Sequence, residues 1–299
     1  MRPLRWQDVS EKGTVLGIAT VVAVARLLGR RAAGWVIWFV AAWYALFHPA
    51  VRRASREYLG RLGAGAGLRQ VIHHLYTFAQ VSTDRFFLVR GEARRFRIER
   101  HGEEHLWKLQ QERRGALILL AHLGSFEVLR ALSRERKLPI NVLGYFRNAP
   151  RLNSVLRRLD PGVDARLIEV RPGDPRFVFE VAERIEAGEM VGTMADRVGF
   201  DGKSVRVPFL GREASLPSGP YLLAAILRCP VYVGFGCYRA PDRYDLYCEP
   251  FEERVVLPRG PAREEALRRL ASRYADRVED FCRRYPDNWF NFYDYWGLA

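Results

Sequence analysis

Apolar and polar positions along the chain switch between two periods, and the switches mark most of the elements. Ala116–Leu120 is a short unbroken apolar run, the length of one buried strand. It stops at His122. Gly124 and Ser125 then break the pattern, and helical spacing resumes over Phe126–Leu132. Ser125 stands where an N-cap belongs, which puts Glu127 in the first helical turn. Leu138–Phe146, Ala165–Val170 and Glu189–Ala195 read as further strands, and Asp174–Ala187 as a helix closed by Gly188. Phe200–Ser218 is punctuated by Gly and Pro and reads as a long loop, and Leu216-Pro-Ser-Gly-Pro220 opens the helix Tyr221–Leu227. Pro230–Tyr238 and Tyr244–Glu249 are two strands close enough to pair, and Pro261–Tyr285 is a charged helix with Leu267, Leu270, Tyr274, Val278 and Phe281 on one stripe. Such βα alternation, with polar residues at successive strand ends, implies an α/β layered fold whose chemistry gathers at one sheet edge.

The N-terminal pattern is different. Gly13–Leu28, apolar except for Arg26, and Ala32–Phe47, again apolar, are runs of about sixteen residues, roughly 24 Å each as helix. A bilayer span needs nearer ~20 residues. Arg2 and Arg5 precede the first run, Arg30 and Arg31 separate the two, and Arg52, Arg53 and Arg56 follow. A two-span hairpin would put the middle pair on the opposite side from the rest, against the positive-inside tendency. Helices lying in the cytoplasmic membrane interface, with Trp35, Trp38, Trp43 and Tyr44 at headgroup level, fit better. A single anchor over Gly13–Leu28 and a pair of buried soluble helices are the alternatives. Ala50–Leu62 is an Arg-rich amphipathic helix, and Gly63–Gly67 is a turn without the Lys-Ser/Thr ending of a phosphate loop. The chain thus divides into membrane-associating helices over 1–67 and an α/β region over 68–299. Leu68–Arg90 carries apolar residues with breaks in helical spacing. Its adjacent His73 and His74 read as surface or packing residues. His101 and His105 are four apart and would share a helix face, but the intervening acids sit wrongly for a zinc-binding helix, so no metal is expected.

Composition narrows the partners. The formal charge is +14, from 48 Lys and Arg, nearly all Arg, against 34 acids. That excess suits an anionic phase or partner: phospholipid, nucleic acid or an acidic carrier. There is no zinc-finger spacing and no RNP-type aromatic strand, so nucleic acid is not expected as a partner. The four cysteines make no CxxC pair and read as reduced, buried thiols.

His122 and Glu127 carry the candidate chemistry. A histidine titrates near neutrality and can take a proton from a hydroxyl. A carboxylate on its other ring nitrogen would fix the tautomer. If that hydroxyl attacks an activated acyl group, no Ser, Cys or Thr nucleophile is needed. The plain alternative is a strand-capping histidine beside an ordinary first-turn acid. Asp196, at the end of the strand over 189–195, could orient an acceptor hydroxyl, hold Arg197, or simply turn the chain.

His122-Leu-Gly-Ser-Phe-Glu127 resembles the HX4(D/E) motif of the lysophospholipid acyltransferase superfamily, and most closely its bacterial lipid A lauroyl/myristoyl transferase branch, where Asn is usual at the place of Ser125. Ala195-Asp-Arg-Val-Gly-Phe, then Val207-Pro-Phe-Leu-Gly-Arg-Glu-Ala and Gly219, resemble a second block of that branch, and the ending Asn288–Trp296 is similar to that of one subgroup. The likeness runs over roughly residues 30–296. It implies a mixed central sheet flanked by helices, the acyltransferase fold. It implies an O-acyltransferase with no cofactor, moving a fatty acyl group from an acyl carrier protein or coenzyme A thioester to a hydroxyl of a lipid or glycolipid. The site would be at the cytoplasmic face of the bacterial inner membrane. His122 would be general base, oriented by Glu127. Gly124, Ser125, Arg147, Asn148, Asp196 and Arg197 would bind substrate, with Arg suited to phosphate. Backbone N–H groups at Gly124 or at the Pro220 helix start would hold the oxyanion. An inactive membrane-surface adaptor on the same scaffold is the competing reading.

Overall fold

The computed structural model describes residues 15–130, 138–144, 166–171, 173–199 and 202–298. Four helices come first: α1 (Val15–Leu27), α2 (Arg30–Phe47), α3 (Pro49–Leu62) and α4 (Leu68–Val89). Then come β1 (Arg97–His101), α5 (Glu103–Gln111), β2 (Ala116–Gly124), β3 (Ile140–Gly144), β4 (Leu167–Glu169), α6 (Arg176–Glu186) and β5 (Met190–Met194). The last third is β6 (Ser204–Phe209), β7 (Arg212–Pro217), α7 (Gly219–Leu227), β8 (Val231–Arg239), β9 (Arg243–Glu252) and α8 (Ala262–Arg284). Seven strands form one sheet in the order β1-β9-β8-β2-β5-β3-β4. Neighbours are parallel except β8 and β9, so the sheet is mixed and the α/β class is met.

β2 is central and covered on both faces, which is why its sequence is apolar without alternation. Leu117, Leu119, Ala121 and Leu123 enter one core, whereas Ala116, Ile118 and Leu120 enter the other. The first core takes Tyr274, Val278 and Phe281 from α8 together with Trp289, Tyr295 and Trp296 of the C-terminal tail. The second takes Ile37 of α2 and Val81, Phe87 and Leu88 of α4.

Three regions differ from the sequence pattern. α4 is one unbroken helix of 22 residues; its apolar spacing is irregular because it is buried on most sides, with His74, Thr77, Gln80 and Asp84 in the interior. The stretch 200–218 contains a hairpin, β6 and β7, rather than a loop. Val205, Val207 and Phe209 alternate inward with exposed Ser204, Arg206 and Pro208, and Leu210 and Gly211 both have positive φ, as a two-residue hairpin turn requires. The Pro and Gly residues hid that alternation. His101 and His105 do not share a helix: β1 ends at His101, Gly102 turns at φ 78, and α5 starts at Glu103. His101 instead stacks on Tyr247, with ring centroids 4.5 Å apart.

α2 is built the reverse of a surface helix. Its small residues Ala33, Gly34, Ala41 and Ala45 are buried with Ile37, and a Cβ on Gly34 would lie 3.0 Å from the Tyr76 hydroxyl of α4. Its large residues point outward, with Trp35 72% and Phe39 66% exposed and Trp38, Trp43, Leu46 and Phe47 also exposed. Among the described residues, no single helix is long and apolar enough to cross a membrane; α2 and α3 reach that length only as a pair bent by 97°. Arg30 is no loose flanking charge: it chelates buried Asp84 through Nε and a terminal nitrogen at 2.7 and 2.6 Å, and also donates to the Tyr238 hydroxyl.

Candidate active site

β2 and β5 are adjacent, parallel and paired at Leu120 with Met194. His122 and Asp196 each lie two residues beyond that pair, at the same carboxyl edge. Their side chains meet there. His122 Nδ1 is 2.7 Å from Asp196 Oδ1, and the His122 backbone N–H donates to Oδ2 at 3.0 Å. The β2–β8 ladder is irregular at this point: from the pair Leu120–Gly234 to the pair Gly124–Gly236, β2 advances four residues while β8 advances two. The extra residues carry His122 out of the ladder, the way bulges re-aim side chains beside active sites. Gly124 closes the bulge at φ 63, and a Cβ there would lie 2.0 Å from the Gly236 carbonyl oxygen.

The C-terminal tail takes the place that β8 vacates. Gly124 N–H donates to Asn288 O at 2.8 Å, and Phe290 N–H donates to His122 O at 2.8 Å. Asn288 is fixed in turn by Tyr238, whose N–H donates to its Oδ1 at 2.6 Å and whose carbonyl accepts from its Nδ2. Asn291 Nδ2 donates to Asp196 Oδ2 at 3.2 Å, and the Tyr295 hydroxyl donates to the Asp196 carbonyl. Arg197 donates to Asn291 Oδ1 at 2.6 Å and to Phe290 O at 2.7 Å. These contacts make the motif ending the chain a wall of the site.

Electrostatics assign the protons. Asp196 is buried, which opposes ionisation, but His122, its backbone N–H and Arg197 outweigh burial and hold the carboxyl well below its ordinary range. An ionised carboxylate only accepts, so Nδ1 of His122 is the donor and a neutral ring keeps Nε2 unprotonated. The imidazole itself is pushed below its usual value by burial and by the Arg197 charge, against the pull of Asp196. It sits deep among protein atoms yet keeps 29% side-chain exposure, so a reactant can reach it.

Glu127, the expected orienting acid, is engaged elsewhere. Glu127 does stand in the first turn of its helix, which begins at 127 rather than at Phe126, but the carboxylate accepts from Arg85 Nε at 2.9 Å and from Arg130 at 3.2 Å. The partner on Nδ1 is Asp196 because the sheet register brings β5 level with β2, whereas Glu127 is turned towards α4. Gly124, expected to offer its backbone N–H to the oxyanion, has it committed to Asn288 O, and the N–H of Ser125, expected among the substrate-binding residues, is committed to Gly236 O, also at 2.8 Å. Arg197 has two donors on the tail. Arg147 and Asn148 lie outside the described residues. Sequence reading did not bring in Asn288, Asn291 or Arg85; the aromatic run 288–296 was the one signal, and it reads equally well as a docking surface.

One three-residue group among the described residues has metal-ligand chemistry: Glu99, His101 and Asp245. Arg243 donates to both carboxylates, so a cation already fills that position.

The family model for bacterial lipid A biosynthesis acyltransferases matches residues 10–297. The chain belongs to that family. It is an acyltransferase of the lipid A biosynthesis type, and the family implies an acyl donor and a lipid acceptor. No curated protein sequence matches the chain. The match covers both the helical N-terminal region and the sheet, and it includes His122, Asp196 and the tail that joins them.

Proposed function

We propose that this acyltransferase moves a fatty acyl group from an acyl carrier protein or coenzyme A thioester to a hydroxyl of a membrane lipid or glycolipid, with His122 as general base. The observation that carries this reading is the His122–Asp196 pair, with Nδ1 held by an ionised acid and Nε2 left as acceptor on a reachable ring. The acceptor hydroxyl gives its proton to Nε2 as its oxygen attacks the thioester carbonyl. Asp196 stabilises the imidazolium that forms, and the imidazolium returns the proton to the departing thiolate as the tetrahedral intermediate collapses. A base whose pKa lies below its usual value is unprotonated at neutral pH, as this step requires.

The outward aromatic residues of α2 support docking on a membrane, with α2 lying in the interface of the cytoplasmic leaflet of the bacterial inner membrane. Anionic lipid and an acidic carrier both complement a chain of charge +14. His122→Ala is expected to abolish acyl transfer with the circular dichroism spectrum unchanged. Full transfer by that variant would overturn the assignment.

A further inference from the structure

Glu127 is only 2% exposed and lies between two guanidinium groups, although it is the acid of the HX4E signature. Burying an ion pair is costly, and such a pair is kept where geometry matters. Glu127 takes Nε of Arg85 and leaves the edge formed by its two terminal nitrogens, which have no hydrogen-bond partner among the described residues. The Arg85 side chain is 21% exposed, and its guanidinium lies over the Phe126 ring, 5.1 Å from the centroid. Phe78, Ser82 and Arg85 form the partly open row of α4, at the i, i+4 and i+7 spacing of one helix face. At the other end of that row, Phe78 packs on Phe290 at 5.2 Å, and Phe290 is the residue whose N–H holds His122 O. The row therefore leads from the backbone of the base to a fixed, outward-facing guanidinium about 10 Å along the helix.

We infer that Arg85 is a phosphate-recognition residue of the acyltransferase site and that Glu127 is its positioning residue. This rests on the acyl-transfer reading above. The open edge of a guanidinium whose Nε is already tethered suits two parallel hydrogen bonds to a phosphate monoester or diester. That phosphate belongs to a substrate whose reacting atom sits at His122, so it is carried either by the donor's carrier arm or by the acceptor lipid.

Binding comes first in the test, because it does not depend on turnover. Titration calorimetry with inorganic phosphate on the full chain is expected to show Arg85→Gln weakening binding about tenfold. Arg85→Lys keeps the charge but loses the fork, and it is expected to recover only part of the loss. Glu127→Gln is expected to weaken binding as well. Equal phosphate affinity in wild type and Arg85→Gln, both folded by circular dichroism, overturns the inference.

Kinetics then locate the phosphate. With one acceptor alcohol, acyl transfer is compared from a phosphate-bearing thioester and a phosphate-free one. With one donor, a phosphorylated acceptor is compared with its dephosphorylated form. The ratio of kcat/KM values is expected to fall about tenfold in Arg85→Gln in the arm that carries the phosphate. Ratios unchanged in both arms count against the inference. A wild-type chain that transfers no acyl group but still loses phosphate binding in Arg85→Gln would sink the acyl-transfer reading alone.

Discussion

Replacing Asp196 by Asn tests the catalytic geometry most sharply. In the wild type the two carboxylate oxygens accept three donors: His122 Nδ1–H at 2.7 Å, His122 N–H at 3.0 Å and Asn291 Nδ2 at 3.2 Å. The first is on Oδ1 and the other two are on Oδ2. An Asn side chain has one oxygen and one NH2. If its oxygen faces Nδ1, its NH2 meets a backbone N–H and the Asn291 NH2, neither of which can become an acceptor. If it turns over, its NH2 faces Nδ1, and the imidazole can adapt by moving its proton to Nε2. The second arrangement satisfies every group, and it removes the base. The expected loss in kcat is about 10³–10⁴-fold, or roughly 4–5.5 kcal/mol of barrier, the scale on which a triad suffers from the wrong tautomer. The pH profile adds a second readout. Asp196 raises the His122 pKa, while burial and Arg197 lower it. Without the carboxylate the pKa falls further, so the residual kcat/KM should rise at lower pH than in the wild type. The measurement is a thioester-dependent transfer assay across pH 5–9 with Asp196→Asn and Glu127→Gln side by side. A near-normal rate for Asp196→Asn, with the loss and the shifted acid limb in Glu127→Gln, would refute the His122–Asp196 assignment.

Two further predictions concern stability and membrane docking. His74 is buried between Ser55 Oγ and Trp289 O, and desolvation pushes its pKa down to about 4. The unfolded chain binds this proton near pH 6.5 and the folded chain does not, so stability should fall from pH 6.5 towards 4 by about 3 kcal/mol from this group. Urea melts of His74→Gln should show a flatter dependence over that window, and parallel curves for variant and wild type would contradict the assignment. On α2, the triple variant Trp35→Ser, Phe39→Ser and Phe47→Ser removes exposed apolar area without touching the buried small-residue face. Its binding to anionic phospholipid vesicles by co-sedimentation should weaken about tenfold or more, and unchanged binding would remove α2 from the docking surface.

Much of this protein is written locally in the chain. The apolar run of β2, its halt at His122 and a helix opening at Glu127 follow from residues within a few positions of one another, because strand and helix periods are local properties. The same holds for the α/β class, the outward tryptophans of α2 and the amphipathic stripe of α8. Tertiary structure alone decided which acid serves which partner. Asp196 is 74 positions from His122 and meets it only because β5 lies next to β2 in register. Glu127, five positions away in the chain, is drawn to Arg85 because α4 packs over the start of its helix. The wall at residues 288–291 exists because the β2 bulge leaves backbone groups that β8 cannot satisfy, and the tail arrives to pair with them. Sequence spacing carries what most segments become, the β6–β7 hairpin and the buried α4 excepted, whereas sheet order and packing fix which side chains come within hydrogen-bonding distance; no local pattern encodes the second.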